Sequence, residues 1–120
     1  MEKVEMFRQF LRNFRDDHIH FFKSCDRQRA SWIDGKGMSY PDRITLAFEE
    51  WEVIRKHSSN FPLLPGQYRE IERLFKLVDV FDQVNNLPLS RKDYCALLDH
   101  SDWKKIQRRA SEVYHVLQNI

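Results

Sequence analysis

The stretch QYREIERLFKLVDVFDQV, residues 67–84, carries the most apolar helical pattern of the chain. Ile71, Leu74, Val78 and Phe81 recur at helical spacing and predict one continuous apolar stripe. Four further apolar residues widen this stripe: Phe75, Leu77, Val80 and Val84. Because a helix with so much apolar surface must be covered on more than one side, we expect the other segments to pack around it.

Three other segments show helical periodicity. Steps of three and four place seven residues on one seam of a long first helix: Val4, Phe7, Leu11, Phe14, His18, Phe21 and Cys25. This helix is expected to fray between Asp26 and Ile33, before a loop at residues 34–37. A second helix begins at Ser39 and Pro41, since proline suits a first helical turn. A last helix, capped by Ser101 or Asp102, runs from Trp103.

A short helix over residues 91–99, capped by Ser90, follows the central one. No segment alternates with the period of a strand. The sequence therefore predicts an all-α fold, a single helical domain over residues 1–120. Its expected architecture is a bundle of four main helices plus one short helix, mainly antiparallel.

Composition narrows the class of protein. The 120 residues carry 20 Lys+Arg and 18 Asp+Glu, a net charge of +2 that predicts no strong attraction to nucleic acid or anionic membrane. No apolar run reaches the roughly 18 residues that span a bilayer. Cys25 and Cys95 follow no disulfide or metal spacing, which favours free thiols in a reducing compartment. We expect a cytoplasmic protein without a cofactor or a metal, with His18 as a hydrogen-bonded, semi-buried residue of the seam.

Arg108 and Arg109 precede His115 by seven and six positions in the last helix. This spacing resembles the Arg-(four to six residues)-His motif of the HEPN family of small all-α nucleases and nucleotide-binding proteins. The resemblance implies that the arginine positions a phosphate and that the histidine serves in RNA cleavage. The same spacing also joins Arg12 to His18, so the pattern alone does not select one pair.

His20, Lys23 and Ser24 resemble the His-x-x-Lys-Gly core of histidine phosphotransfer domains, with serine in place of the glycine. The resemblance implies an exposed histidine Nε2 that accepts a phosphoryl group beside a neutralising lysine. A third possibility is nucleic-acid binding through the basic last helix, which holds Lys104, Lys105, Arg108 and Arg109.

Protein contact surfaces are the remaining candidates. Trp32 lies near a glycine-containing loop, and Phe61 and Leu63 lie in a proline-stiffened connector expected to fold over an end of the bundle. Exposed aromatic anchors beside charge are typical of interfaces, and the second helix offers the acidic edge Glu49, Glu50 and Glu52. The sequence favours a non-enzymatic immunity or antitoxin-type protein, monomeric or weakly dimeric. We expect it to neutralise one protein partner, such as a basic toxin.

Overall fold

The computed structural model describes residues 2–85 and 91–120, with the side chains of residues 91 and 92 left aside. No strand occurs among these residues, and the predicted all-α class is confirmed. The helices are α1 (Lys3–Phe14), α2 (His20–Lys23), α3 (Cys25–Gln28), α4 (Tyr40–Lys56), α5 (Pro65–Asn85), α6 (Arg91–Asp99) and α7 (Ser101–Val116). Two π-helical segments, Arg15–Ile19 and Arg29–Ile33, follow α1 and α3.

The first helix is long, as predicted, but it is not uniform. α1, the first π-helical segment and α2 run on without a break, because the joining residues keep helical backbone angles. Ser24 ends the run with an extended conformation, φ −101° and ψ 104°, and its hydroxyl caps α3 by accepting from the amide of Arg27. The predicted fraying between Asp26 and Ile33 is wrong, since these residues form α3 and the second π-helical segment.

The described residues thus form six helical stretches, where four main helices and one short one were predicted. The extra stretch arises at Ser24, whose polar side chain gives the backbone a cap and so allows a new helix to start. The mainly antiparallel arrangement stays a prediction.

The predicted seam stays buried through the first π-helical segment and into α2. Four of its residues are buried: Leu11, Phe14, His18 and Phe21. Ile19 and Phe22, which lie beside the seam, are also fully buried, so this long helix meets more than one neighbour. Val4, at the start of the seam, is 54% exposed.

Most helix ends agree with the sequence. Ser39 caps α4 by accepting from the amide of Asp42. Gly35 in the predicted loop has φ +68°, a left-handed conformation that glycine adopts at low cost. The cap predicted for α7 is wrong by one residue, because the His100 ring accepts from the amide of Asp102 at 3.1 Å. The cap predicted at Ser90 lies outside the described residues.

The core is aromatic and centred on α5. Four rings from α1, α2 and α4 surround Phe75, with centroids 5.0–6.1 Å from its own: Phe14, Phe22, Phe48 and Trp51. α2 and α5 both pack against α7. The stripe predicted for α5 is confirmed, because Ile71, Leu74, Val78 and Phe81 are all buried.

The cover predicted for the rest of α5 is only partial. Phe75 is buried, but Leu77, Val80 and Val84 are 39%, 59% and 75% exposed. The expectation that these three residues are covered is wrong within the described part of the chain, because α7 packs beside them and not over them.

Candidate functional site

Trp32, a predicted partner contact, lies inside the fold. It is 4% exposed, and its ring meets Phe21, Tyr40 and Trp103 at centroid distances of 5.2, 5.3 and 5.6 Å. The predicted exposure of Trp32 is therefore wrong. The second π-helical segment, where a frayed helix end was expected, turns this side chain toward the core.

Phe61 in the connector is also buried, at 5% exposure, between the rings of Phe7 and Phe10. Its predicted exposure is wrong, because the connector folds back over α1. Leu63 is partly buried against the core, whereas Leu64 is 67% exposed.

The acidic edge of α4 is divided between three environments. Glu50 accepts from Nε2 of His18 at 2.7 Å, and His18 is 1% exposed, so this carboxylate pairs with a buried residue. Glu52 pairs with Arg55 at 3.1 Å, and Glu49 is exposed. His18 is hydrogen-bonded, as predicted, but it is fully buried where a semi-buried residue was expected. A role for Glu49 and Glu52 in contacting a partner stays a prediction.

The three residues of the HEPN resemblance lie on α7 in different environments. Arg109 pairs with Glu70 of α5 at 3.3 Å and with Glu112 at 3.1 Å. Arg108 and His115 are exposed and lie seven residues apart, which places them on one helix face roughly 10 Å apart along the axis. Arg108 and His115 therefore share one exposed helix face, while Arg109 is held in ion pairs with Glu70 and Glu112.

His20, the centre of the phosphotransfer resemblance, is half-buried against Tyr114 at a centroid distance of 5.5 Å. Its Nδ1 accepts from Arg27 at 2.6 Å, which places the proton of the neutral ring on Nε2. Burial and the charges of Arg27 and Lys23 lower the pKa of His20. The exposed, unprotonated Nε2 implied by the resemblance is therefore not what the structure presents, because Lys23 lies over Tyr114 and Arg27 holds the ring.

The exposed side of α5 borders a groove that was not predicted from the sequence. Its apolar floor consists of Leu77, Val80 and Val84, which follow one another at i, i+3 and i+7 on one helix face. Beside this floor lies a concavity of about 240 Å³, whose far wall is α7 with Lys105 and Ile106. We call this surface the α5–α7 groove.

The rim of the α5–α7 groove is mainly cationic. Among the residues that the structure describes, five basic residues line the groove and its continuation along α7, against two carboxylates, Asp102 and Glu112. The five are Arg73, Lys76, Lys105, Arg108 and Arg109. Three of the five cations already have a carboxylate partner: Lys105 pairs with Asp102, and Arg73 and Arg109 both pair with Glu70. The groove therefore joins an exposed apolar floor to a rim that holds more cations than carboxylates.

A signal for this groove was present in the sequence. Leu77, Val80 and Val84 lie beyond the arc that one packed neighbour covers, and the basic residues of the last helix repeat on one face. Periodicity alone leaves open whether such a widened stripe meets a second neighbour or solvent. The structure resolves this by placing α7 at its edge.

Comparisons with family models, with curated proteins and with solved structures return no match for this chain. Within residues 2–85 and 91–120, no group of three or more His, Cys, Asp or Glu is positioned to hold a metal ion. No described helix combines the length and apolarity needed to cross a membrane.

Proposed function

We propose that this protein is a non-enzymatic binding module that captures one protein partner through the α5–α7 groove. The observation that carries the proposal is the exposed apolar floor, Leu77, Val80 and Val84, framed by basic side chains. Apolar patches with a polar rim are typical of protein interaction sites. Arginine, which the rim supplies from α5 and α7, is enriched among the residues that dominate binding energy.

The cationic rim of the groove favours a partner with an acidic surface. A partner surface with apolar side chains at its centre would bury the floor, and carboxylates around them would pair with Lys76 and Arg108. Among the described residues, no carboxylate lies within 4.0 Å of these two rim cations. An amphipathic helix with an acidic flank has this pattern. The partner we propose is therefore a protein that exposes such a helix.

An immunity or antitoxin-type role is the finer form of this proposal. In that role the partner is a toxin, and binding masks the surface that the toxin needs for activity. A toxin with an acidic, apolar surface suits the α5–α7 groove. A basic toxin would instead suit the edge of α4, where Glu49 is exposed and Glu52 is half-buried.

The test is a pull-down of the tagged protein from its native lysate, with and without nuclease treatment. Three proteins are compared: wild type, Val80→Asp in the groove floor, and Val53→Asp on α4 as a matched control, since Val53 is also an exposed valine. We expect one stoichiometric protein partner with wild type and with Val53→Asp, and none with Val80→Asp. Equal capture by all three proteins, or no captured protein, would contradict the proposal.

An RNA-cleaving or nucleotide-handling enzyme resembling HEPN proteins is the second candidate. It is favoured by the shared exposed face of Arg108 and His115. His115→Ala should abolish the activity of such an enzyme and leave partner capture intact. Nucleic-acid binding through α7 is the third candidate, and its mark is an affinity that falls steeply with salt.

A further inference from the structure

A second concave site is lined by residues between positions 21 and 43, and not by α5 or α7. It has a volume of about 220 Å³ and is formed by α3, the second π-helical segment, the following loop and the start of α4. Its uncharged lining is Phe21, Ala30, Ser31 and Gly37, and its charged lining is Arg27, Lys36 and Arg43. All the charged residues that line the site are thus cations.

The two guanidinium groups are held in place by an aromatic ring. Arg43 lies over the ring of Phe21 with 4.2 Å from its central carbon to the ring centroid, and Arg27 lies 5.7 Å from the same centroid. Arg27 also donates to the carbonyl of Asp16 at 3.1 Å. Side chains fixed in this way lose little further entropy when a ligand binds.

The charge of this site is not compensated locally. Among the described residues, no carboxylate forms an ion pair with Arg27, Lys36 or Arg43 within 4.0 Å. Asp17 and Glu50 act on Arg43 from a greater distance, and Glu50 is hydrogen-bonded to His18. The buried Nε of Arg43 has no hydrogen-bond partner.

The positively charged groups of Arg27 and Arg43 therefore lie over the same ring, that of Phe21, and the buried Nε of Arg43 has no acceptor. Burial and the neighbouring charge of Arg27 lower the pKa of Arg43, which reflects the cost of this arrangement. An anion placed between the two guanidinium groups would offset their repulsion.

We propose that Arg27, Lys36 and Arg43 form a binding site for a phosphate group, either inorganic phosphate or a phosphate monoester. A phosphate dianion offers oxygens in several directions, which suits three cations that approach from α3, the loop and α4. This site is independent of the α5–α7 groove and of the proposed protein partner.

The experiment is a titration of isotope-labelled protein with inorganic phosphate at constant ionic strength, followed by amide NMR shifts. We expect saturable shifts around the pocket. Lys36→Gln, on the exposed loop, should weaken binding about three-fold, as for one exposed charge. Arg43→Gln should weaken it about ten-fold, as for a lost charge-assisted hydrogen bond.

Lys56→Gln, an exposed lysine at the end of α4, is the matched control and should bind as wild type does. Since Arg43 packs on Phe21, its variant is first checked for folding, and Lys36→Gln tests the site without that concern. Shifts that do not saturate, or equal affinity in wild type and Lys36→Gln, would overturn the proposal. A parallel titration with a nucleoside monophosphate identifies the source, because tighter binding than that of phosphate assigns a phosphate monoester and equal binding assigns phosphate itself.

Discussion

The indole Nε1 of Trp103 donates a hydrogen bond of 3.0 Å to the side-chain oxygen of Gln28, 75 positions earlier in the chain. The same oxygen accepts from Gln107 at 2.8 Å, and the amide nitrogen of Gln28 donates to the carbonyls of Phe21 and Phe22. Those carbonyls belong to the last turn of α2, where the helix ends, and the Phe21 carbonyl also accepts from the amide of Ser24 at 3.2 Å. One fully buried side chain thus closes the helix break at Ser24 and fastens it to α7.

Gln28→Leu should destabilise the fold by about 3 kcal/mol, because it leaves buried donors and acceptors without partners. Urea unfolding measures this change as a lower midpoint. Gln9→Leu is the control, since the Gln9 side chain is exposed on α1 and donates to the neighbouring Asn13, and it should change stability by less than about 0.5 kcal/mol. Similar midpoints for the two variants would show that Gln28 does not hold the break.

Glu50→Ala should cost about 1–3 kcal/mol of stability, because it leaves the buried ring of His18 without its 2.7 Å partner. Glu49→Ala removes the neighbouring exposed carboxylate and should be nearly neutral. Thermal or urea unfolding of both variants gives the comparison. If both changes were equally mild, the pairing of Glu50 with His18 would contribute nothing to stability.

His20 should make the fold less stable as the pH falls below about 6.5, its ordinary pKa. Its pKa is lowered in the folded state by burial and by Arg27 and Lys23, so the unfolded chain takes up the proton first. His20→Phe keeps a ring against Tyr114 and removes this titration. The free energy of unfolding should therefore fall less between pH 7.5 and 5.5 in the variant than in wild type. Parallel curves would contradict the assignment.

Tyr40 should make the fold less stable as the pH rises into the alkaline range. Burial and the hydrogen bond of 2.9 Å to Asp82 raise the pKa of its hydroxyl. Above about pH 10 the unfolded chain loses this proton first, so stability falls as the pH rises. Tyr40→Phe should cost about 1 kcal/mol at neutral pH, the worth of one hydrogen bond, and should reduce the alkaline decline. An unchanged decline would exclude Tyr40 as its source.

Charge reversal on the rim of the α5–α7 groove should slow partner association. Lys105→Glu with Arg108→Glu would turn two rim cations into carboxylates that repel an acidic partner, with an effect of about ten-fold at low salt. The control reverses Glu49 and Glu52 to lysine on α4. Stopped-flow or surface-based association rates distinguish the two faces. A slower rate only in the α4 variant would assign the contact to α4 and favour a basic partner.

The sequence by itself determined the class of fold and most buried faces. The periodicity of Ile71, Leu74, Val78 and Phe81 predicted the buried stripe of α5, because a side chain's face on a helix depends only on its spacing. The cap at Ser39 and the loop containing Gly35 also follow from local chemistry. His18 was predicted from its place in the seam to be hydrogen-bonded and semi-buried; the hydrogen bond is confirmed, but neither its partner Glu50 nor the full burial of the ring was predicted.

Tertiary structure alone decided which surfaces stay open. Trp32 and Phe61 looked exposed in sequence but are buried, while Leu77 and Val80 looked covered but are exposed. Whether an apolar side chain meets a neighbour depends on how helices distant in sequence pack, and spacing within one helix carries no such information. The placement of Arg27 and Arg43 over the ring of Phe21 also depends on helix packing, because only the fold brings residues of different helices to one ring.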